Sequence, residues 1–198
     1  METLKKKHTV RVCHIIPYET KVPKILLVLE EPKIKLPRGF QGHRAELVWK
    51  MPGGGYEQSM DPDLVFAARR EYREEVSHEI PRHGLSADFC YRCTLKSKIP
   101  GFDQHMIHTF LWLTRECPKV QPGESRIVAT HWSSLSRLPS EKRLILGAPL
   151  AAGHWWHLYG LFSNSMCKQA LLIAGITDAR QEGIIKSWQR HGNLTIPA

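Results

Sequence analysis

A glycine-rich turn followed by an acidic helix constrains the fold of this chain most strongly. A brief predicted strand, residues 47–51, stops at a Pro-Gly-Gly-Gly run, residues 52–55, and the acidic segment 70–76 follows. Glycine lets a backbone turn sharply and approach a ligand closely because it has no Cβ. Asp61 is a good N-cap and Pro62 suits the first helical position, which predicts a helix from there to about residue 76. We therefore predict a compact strand–loop–helix unit.

One face of the predicted helix is a candidate metal site. Steps of three and four residues share a helix face, so Glu71, Glu74 and Glu75 should lie within an arc of about 100°. Crowded carboxylates repel one another unless a cation neutralises them, and oxygen ligands favour Mg²⁺ or Mn²⁺ over zinc or copper. Arg70 and Arg73 are placed to pair with these carboxylates. Glutamate-rich helix faces are often merely solvated, and the preceding glycine run favours the functional interpretation here.

The remaining segments predict an α/β (α+β) fold with a mixed sheet. Alternating or short apolar runs predict strands at residues 8–16, 24–29, 90–95, 108–114 and 126–132. Helices are predicted at 151–174 and at 177–191, the second capped by Thr177. About sixty residues make a small core. We therefore predict a main domain over 1–140 and a helical C-terminal extension, 141–198, packed on the same domain.

The glycine run and the acidic helix together resemble the Nudix box, G-x5-E-x7-R-E-U-x-E-E-x-G-U, in which U is bulky and aliphatic. The resemblance covers residues 53–77: Gly54 matches the first glycine and residues 70–75 match the R-E-U-x-E-E core. The spacing from Gly54 to Arg70 is two residues longer than in the family. Residues 130–139 look like the Trp-ending strand and Leu-Pro that follow the box, so the resemblance extends over about residues 8–140.

Other positions of the box differ from the family pattern. The intermediate glutamate has no clean match, since Met60 or Pro62 stands in its place, and Asp61 or Asp63 is a candidate substitute. The late glycine of the box is Ser77, and a histidine follows it.

The resemblance implies a Nudix-type α/β/α sandwich and a divalent-metal-dependent hydrolase. It implies that Glu71, Glu74 and Glu75 ligate Mg²⁺ or Mn²⁺, with the Gly53 carbonyl as a further ligand. Glu71 or Glu74 would alternatively help to activate water. Arg70 would hold the acidic cluster in register.

The resemblance also implies residues outside the acidic helix. Many family members supply another catalytic glutamate from the loop before the Trp-ending strand, where Glu124 is the candidate and Glu116 the second choice. The expected substrate-binding residues are Gly54, Gly55, Tyr56 and Arg44. Further phosphate-binding candidates are the basic loop residues Lys33, Lys35 and Arg38.

The aromatic side chains have a structural and a functional interpretation. Trp49, Tyr56, Phe110 and Trp112 lie near the expected cleft in the sequence pattern, yet aromatic residues on strands are more often core residues than ligand stackers. Trp155, Trp156 and His157 would form a lid or a subunit contact, although core packing is again the favoured interpretation.

The implied reaction cleaves a pyrophosphate bond in a nucleoside diphosphate linked to another moiety. A nucleotide, a nucleotide sugar, a dinucleoside polyphosphate and an RNA 5′ end all qualify. The 28 Lys and Arg against 19 Asp and Glu, a net charge of +9, raise the local concentration of such polyanions. The expected partners are a nucleotide-type small molecule, an RNA 5′ end as an option, and a second copy in a homodimer.

The composition bears on location and on rival functions. No stretch reaches the roughly 18 apolar residues of a membrane span, so we expect no membrane partner. The five cysteines and the missing apolar segment behind the basic N-terminus predict a cytoplasmic protein with reduced thiols. Two alternatives stay open: a catalytically impaired Nudix scaffold that binds nucleotide or RNA, and a basic nucleic-acid-binding protein whose acidic helix is incidental.

Overall fold

The computed structural model describes residues 4–17, 22–31, 47–138, 148 and 150–190. Six strands lie in this part of the chain: β1 Lys6–Ile16, β2 Lys24–Glu30, β3 Val48–Lys50, β4 Cys90–Lys96, β5 Gln104–Leu113 and β6 Ile127–Ser134. The same part contains four α-helices: α1 Leu64–Val76, α2 Ala152–Ser163, α3 Ser165–Ile173 and α4 Asp178–Arg190. The predicted strands are confirmed, with bounds that differ by a few residues.

The strands form one mixed sheet in the order β3-β2-β1-β5-β4, with β6 paired to β2. β1 and β5 run parallel over their length, from the pair Lys6 and Gln104 to the pair Ile15 and Leu113. The other pairings are antiparallel, including β4 with β5. A parallel pair needs a long connection, and here β2, β3, α1 and β4 lie between β1 and β5 in the chain. The predicted mixed sheet is confirmed.

Alternating side chains of the sheet build a core on each of its two faces. Val10 and Val12 of β1 pack with Tyr72 and other apolar residues of α1 on one face. Cys13 and Ile15, one residue out of step, pack with the C-terminal helices on the other face. Successive strand residues point to opposite faces, so one strand supplies both cores. The result is the predicted α/β/α sandwich.

The C-terminal helices differ from the sequence prediction in one respect. The single helix predicted over 151–174 is wrong, because the chain breaks at Asn164 into α2 and α3. The Asn164 side chain accepts a hydrogen bond from the Cys167 backbone N–H at 3.0 Å and so caps a new helix. α4 agrees with the prediction at 177–191 to within one residue. The boundary at residue 140 stays a prediction.

The aromatic residues of these helices mostly pack in the core. Trp155 of α2 is buried and lies edge-on to Trp188 of α4, with ring centroids 6.1 Å apart. The Trp188 indole N–H donates to the Leu135 carbonyl at 2.6 Å. His157 is buried and bonds to the Thr109 hydroxyl at 3.0 Å. Of the described helices, none is long and apolar enough to cross a membrane.

The helix α2 also fixes the strand that leads into the glycine run. The Ala151 N–H donates to the Trp49 carbonyl at 2.8 Å. The Met51 N–H donates to Nδ1 of the buried His154 at 3.0 Å. Burial lowers the pKa of His154 well below its usual value, which keeps the imidazole neutral and able to accept this bond. The C-terminal helices thus position the entrance to the candidate site.

Candidate functional site

The glycine run lies against the first strand of the sheet. Val12 N–H donates to the Pro52 carbonyl at 2.8 Å, and Val10 N–H donates to the Gly54 carbonyl at 2.9 Å. Gly53 has φ +146°, and a Cβ there would lie 2.2 Å from the Val10 carbonyl oxygen. Only glycine fits this conformation and this close approach. The run is therefore held as a rigid edge beside α1.

Gly54 makes room for the first glutamate of the acidic helix. A Cβ on Gly54 would lie 2.1 Å from Oε2 of Glu71, so the carboxylate rests directly on the glycine backbone. Burial raises the pKa of Glu71, the Arg70 guanidinium opposes that shift, and the negative charges of Glu74 and Glu124 add to it. Glu71, Glu74 and Glu124 thus act on one another electrostatically at this point. The sequence predicted this crowding for Glu71 and Glu74.

Arg70 is the centre of the polar network. Its NH1 group donates to Oε1 of Glu71 and to Oε2 of Glu74, both at 3.0 Å. Its NH2 group donates to the Gly55 carbonyl at 2.9 Å. One guanidinium therefore ties the acidic helix to the glycine run and brings the two carboxylates to a common point. This position agrees with the role expected of Arg70, which remains a proposal.

Asp61, one of the two candidate substitutes for the missing glutamate, completes the arginine network. Arg70 Nε and NH2 donate to its two carboxylate oxygens at 2.9 Å each, a bidentate pair. These hydrogen bonds hold the pKa of Asp61 below its ordinary value, and the same pair raises the pKa of Arg70. The prediction that Asp61 caps the helix is wrong. The N-cap is Asp63, which accepts from Phe66 N–H at 2.7 Å, because the Asp61 carboxylate is already engaged.

Residues 57–61, between the glycine run and α1, form a tight turn. The Met60 and Asp61 N–H groups both donate to the Glu57 carbonyl at 2.8 Å, and the Glu57 N–H donates to Asp61 Oδ2 at 2.8 Å. Met60 is 54% exposed and takes no part in the network. The turn therefore leaves the Met60 side chain exposed and holds Asp61 in its pair with Arg70.

Glu75 lies at the buried end of the acidic face, where its exposed fraction is 1%. Its Oε1 accepts from Lys50 Nζ at 2.6 Å and its Oε2 accepts from the Gly53 N–H at 2.9 Å. Burial raises the pKa of Glu75 to about 7, although the Lys50 charge and these hydrogen bonds act against the shift. Lys50 Nζ also contacts Oε2 of Glu30 at 3.0 Å and the Gly53 carbonyl at 3.1 Å.

Lys50 and Glu30 were missed by the sequence reasoning. Lys50 precedes the glycine run by two residues on a short strand, and that proximity is the only sequence signal for it. Glu30 lies on β2, at the end of the strand that pairs with β3. The antiparallel pairing of these strands is what brings their side chains together.

The loop after β5 packs on the end of α1. The Gly123 N–H donates to the Glu75 carbonyl at 3.0 Å, and a Cβ on Gly123 would lie 2.1 Å from the Glu74 carbonyl oxygen. This loop places Glu124 beside the acidic face, where it pairs with Arg126 at 3.1 Å. Glu116 is exposed, and the structure connects it to the neighbouring Thr114 hydroxyl through its carbonyl.

The left-handed end of α1 explains the glycine of the box. Ser77, which stands at that position, has φ +48° and ψ +36°, and its N–H donates to the Arg73 carbonyl at 3.0 Å. Glycine adopts this conformation without strain, whereas serine does so at a modest cost. The helix therefore ends at the expected place despite the substitution.

The predicted substrate residues are only partly brought together. Tyr56 is half-buried and lies edge-on to His8, with ring centroids 6.0 Å apart. Gly54 and Gly55 contact the acidic network as described. Arg44, with Lys33, Lys35 and Arg38, lies outside the described residues. Trp49, Phe110 and Trp112 are buried core residues.

The donor set fits a divalent cation. All candidate ligands are oxygens, namely three carboxylates of α1 and the Gly53 carbonyl, which is the ligand chemistry of Mg²⁺ and Mn²⁺. Within the described ranges, no three His, Cys, Asp or Glu side chains are yet arranged around one cation position. Arg70 and Lys50 donate hydrogen bonds to these carboxylates.

Comparison with known proteins identifies the arrangement. The NUDIX domain family matches residues 7–151 of the chain. No match was found among curated protein sequences. Several solved structures share the fold at low sequence identity. One is the NUDIX domain of Shewanella oneidensis NrtR complexed with ADP ribose, at 18% identity and a TM-score of 0.53, covering 86% of this chain and 90% of the other.

Two further structures show the same fold. A MutT NUDIX hydrolase from Burkholderia pseudomallei has 17% identity and a TM-score of 0.52, covering 79% of this chain and 98% of the other. A bifunctional NMN adenylyltransferase/ADP ribose pyrophosphatase from Francisella tularensis, complexed with AMP and a Mn ion, has 17% identity and a TM-score of 0.50. That match covers 84% of this chain and 43% of the Francisella chain.

Proposed function

Because the chain belongs to the Nudix hydrolase family, we propose that it cleaves a pyrophosphate bond in a nucleoside diphosphate linked to another moiety, using Mg²⁺ or Mn²⁺. One observation carries the proposal: a single guanidinium, that of Arg70, gathers Glu71 and Glu74 beside the glycine backbone. The crowded carboxylates and the adjacent Gly53 carbonyl offer only oxygen ligands, which suits a hard divalent cation.

In this proposal the residues of the site divide the work. Glu71, Glu74, Glu75 and the Gly53 carbonyl hold the metal. A bound divalent cation would lower the pKa of a water molecule and neutralise phosphate oxygens. Arg70 keeps the carboxylates in register through its fixed donor geometry.

Proton transfer in this proposal belongs to the more exposed carboxylates. The side chains of Glu74 and Glu124 are 36% and 29% exposed, so a water molecule and a substrate can reach them. Glu71 is largely covered by Arg70 and the glycine run, which favours a holding role for it. A general base must be within hydrogen-bond reach of the proton it accepts, so the more exposed Glu74 and Glu124 are the proposed bases.

The substrate class is proposed from chemistry. Nucleotide-type ligands accompany two of the similar folds, ADP ribose in one and AMP with a Mn ion in the other. We therefore place ADP-ribose-like nucleotide sugars first, with dinucleoside polyphosphates and RNA 5′ ends as further candidates. The half-buried Tyr56 offers an aromatic face for stacking beside the glycine run. We also propose that the protein is cytoplasmic and forms a homodimer.

The test is hydrolysis by the purified full chain with Mg²⁺ or Mn²⁺. The substrates are ADP-ribose, other nucleoside diphosphate derivatives, dinucleoside polyphosphates and triphosphorylated RNA. We expect Glu71→Gln combined with Glu74→Gln to lower the rate at least about 100-fold, because both carboxylates hold the metal. Glu182→Gln is the matched control, since it removes an exposed carboxylate on α4. Turnover of no substrate, or turnover untouched by the double substitution, contradicts the proposal.

A second function, nucleotide binding without turnover, rests on a specific observation. Arg70 and Lys50 already neutralise the three carboxylates of α1 through hydrogen bonds of 2.6–3.0 Å. A chain whose internal cations outcompete the metal would bind a nucleotide and leave it intact. Calorimetry with ADP-ribose decides between the two: binding without turnover, at saturating Mn²⁺, supports the binding module.

A further inference from the structure

The buried end of the site contains a lysine where a cation ligand set would be. Lys50 Nζ lies 2.6 Å from Glu75 Oε1, 3.1 Å from the Gly53 carbonyl oxygen and 3.0 Å from Glu30 Oε2. Three oxygens from three separate segments therefore surround one ammonium group. Two of them, the Gly53 carbonyl and Glu75, belong to the proposed metal ligands.

An ammonium group and a divalent cation compete for these oxygens. The Gly53 carbonyl oxygen and Glu75 Oε1 lie within hydrogen-bond distance of Lys50 Nζ, so a metal that they ligate would be held next to that positive charge. The ammonium group and a metal ion bound to the same buried oxygens would also repel each other strongly. A metal that binds the Gly53 carbonyl and Glu75 therefore has to displace the ammonium group or bind against its repulsion, and otherwise it binds through the outer carboxylates, Glu71 and Glu74.

We propose that Lys50 is a built-in counter-ion that occupies the inner cation position and competes with the divalent metal for Gly53 and Glu75. This inference rests on the proposed function, because it concerns the same metal site. Lys50 acts as a regulatory residue here: it keeps Glu75 charge-balanced without metal and weakens the binding of the cation.

Glu30 and Glu75 each keep a hydrogen-bond partner when the Lys50 ammonium group is removed. Glu30 also pairs with the Arg126 guanidinium at 2.5 Å, and Glu75 keeps its hydrogen bond from the Gly53 N–H at 2.9 Å. Lys50→Met keeps an unbranched side chain that is one atom shorter and removes its charge. Lys50→Arg preserves the charge and changes the shape.

The test measures metal binding without substrate. Free Mn²⁺ is followed by electron paramagnetic resonance during titration of the full chain. We expect Lys50→Met to bind Mn²⁺ at least about tenfold more tightly than the wild type, because the competing charge is gone. Lys50→Arg should stay near the wild-type affinity. The matched control Lys168→Met removes a lysine that pairs with Asp178 on the C-terminal helices, and it should bind like the wild type. Equal or weaker binding by Lys50→Met overturns the inference.

A second readout uses the wild-type chain and does not depend on a variant that folds. The acetylation of the Lys50 amine is quantified by peptide mass spectrometry with and without saturating Mg²⁺. We expect Mg²⁺ to increase the labelling of Lys50, since the displaced amine becomes accessible, and to leave Lys168 unchanged. Unchanged Lys50 labelling under conditions where Mn²⁺ binding is measured overturns the inference.

The outcomes separate this inference from the proposed function. Hydrolysis and Mn²⁺ binding by the wild type, with no effect of Lys50→Met, refute the role of Lys50 and leave the hydrolase intact. Absence of Mn²⁺ binding in the wild type and in Lys50→Met refutes both.

Discussion

Replacement of Asp61 by asparagine tests the pair that holds the site together. Asp61 is 2% exposed, and its carboxylate accepts two hydrogen bonds from Arg70 and one from Glu57. Asparagine has the same shape but only one acceptor oxygen, so it cannot accept from both Arg70 Nε and Arg70 NH2 in the same bidentate arrangement. Breaking a buried ion pair costs about 3–5 kcal/mol. Arg70 keeps its bonds to Glu71 and Glu74, so we expect the lower end, about 3 kcal/mol.

Urea unfolding at pH 7 measures this loss in the free energy of unfolding. Asp63→Asn is the matched control, because Asp63 is the exposed N-cap of α1 and asparagine is as good an N-cap as aspartate. Its effect should stay within about 0.5 kcal/mol. An Asp61→Asn effect no larger than that of the control would show that Arg70 is held by the glutamates alone.

The pH dependence of the same variant gives an independent check. Arg70 lowers the pKa of Asp61 below its ordinary value of 3.8 in the folded protein. The stabilisation from a depressed carboxylate is fully present above that ordinary value, and it is lost as the pH falls through the lower folded pKa. The stability gap between the wild type and Asp61→Asn should therefore narrow below about pH 4. A gap that is constant down to pH 3 refutes the electrostatic explanation.

Three further results are expected. Gly54→Ala puts a Cβ 2.1 Å from Glu71 Oε2, and the displacement of that carboxylate should lower the hydrolysis rate at least about tenfold. The control is Gly183→Ala, whose Cβ would meet nothing within 4 Å and which should keep the wild-type rate. The pKa of Glu75 is raised from 4.5 to about 7 in the folded protein. The metal-free protein should therefore lose about 3 kcal/mol of unfolding free energy as the pH rises from below 4.5 through 7. Glu75→Gln should remove this dependence of stability on pH. Ser77→Gly should raise the melting temperature, because a non-glycine residue in the left-handed conformation costs about 1–2 kcal/mol and glycine avoids that cost.

Each of these expectations has an outcome that contradicts it. Full activity of Gly54→Ala would mean that the Glu71 carboxylate moves freely. An identical pH–stability slope in Glu75→Gln and in the wild type would place the titrating group elsewhere. A lower melting temperature in Ser77→Gly would show that the serine side chain stabilises the end of α1 by more than its backbone conformation costs.

The amino-acid sequence by itself determined the local units of this protein. The glycine run and the acidic helix were predictable because the turn, the helix spacing and the clustering of Glu71 with Glu74 all depend on residues close together in the chain. Alternation predicted the strands, and the order of strands and helices predicted the mixed sheet. Helices on both faces of the sheet followed from the resemblance to the Nudix family. The family followed from the same short segment, residues 53–77.

Only the tertiary structure decided which side chains complete the site. Asp61 was one of two candidates for the missing glutamate of the box. Its pairing with Arg70 depends on the folded turn at residues 57–61. Lys50 and Glu30 meet because β2 and β3 pair, and no local pattern reports such a contact. The predicted helix start failed for the same reason: the carboxylate expected at the N-cap was bound by an arginine further along the chain. The spacing of residues in the chain predicts which groups share a helix face, but the charges that hold them are supplied by other segments that folding brings near.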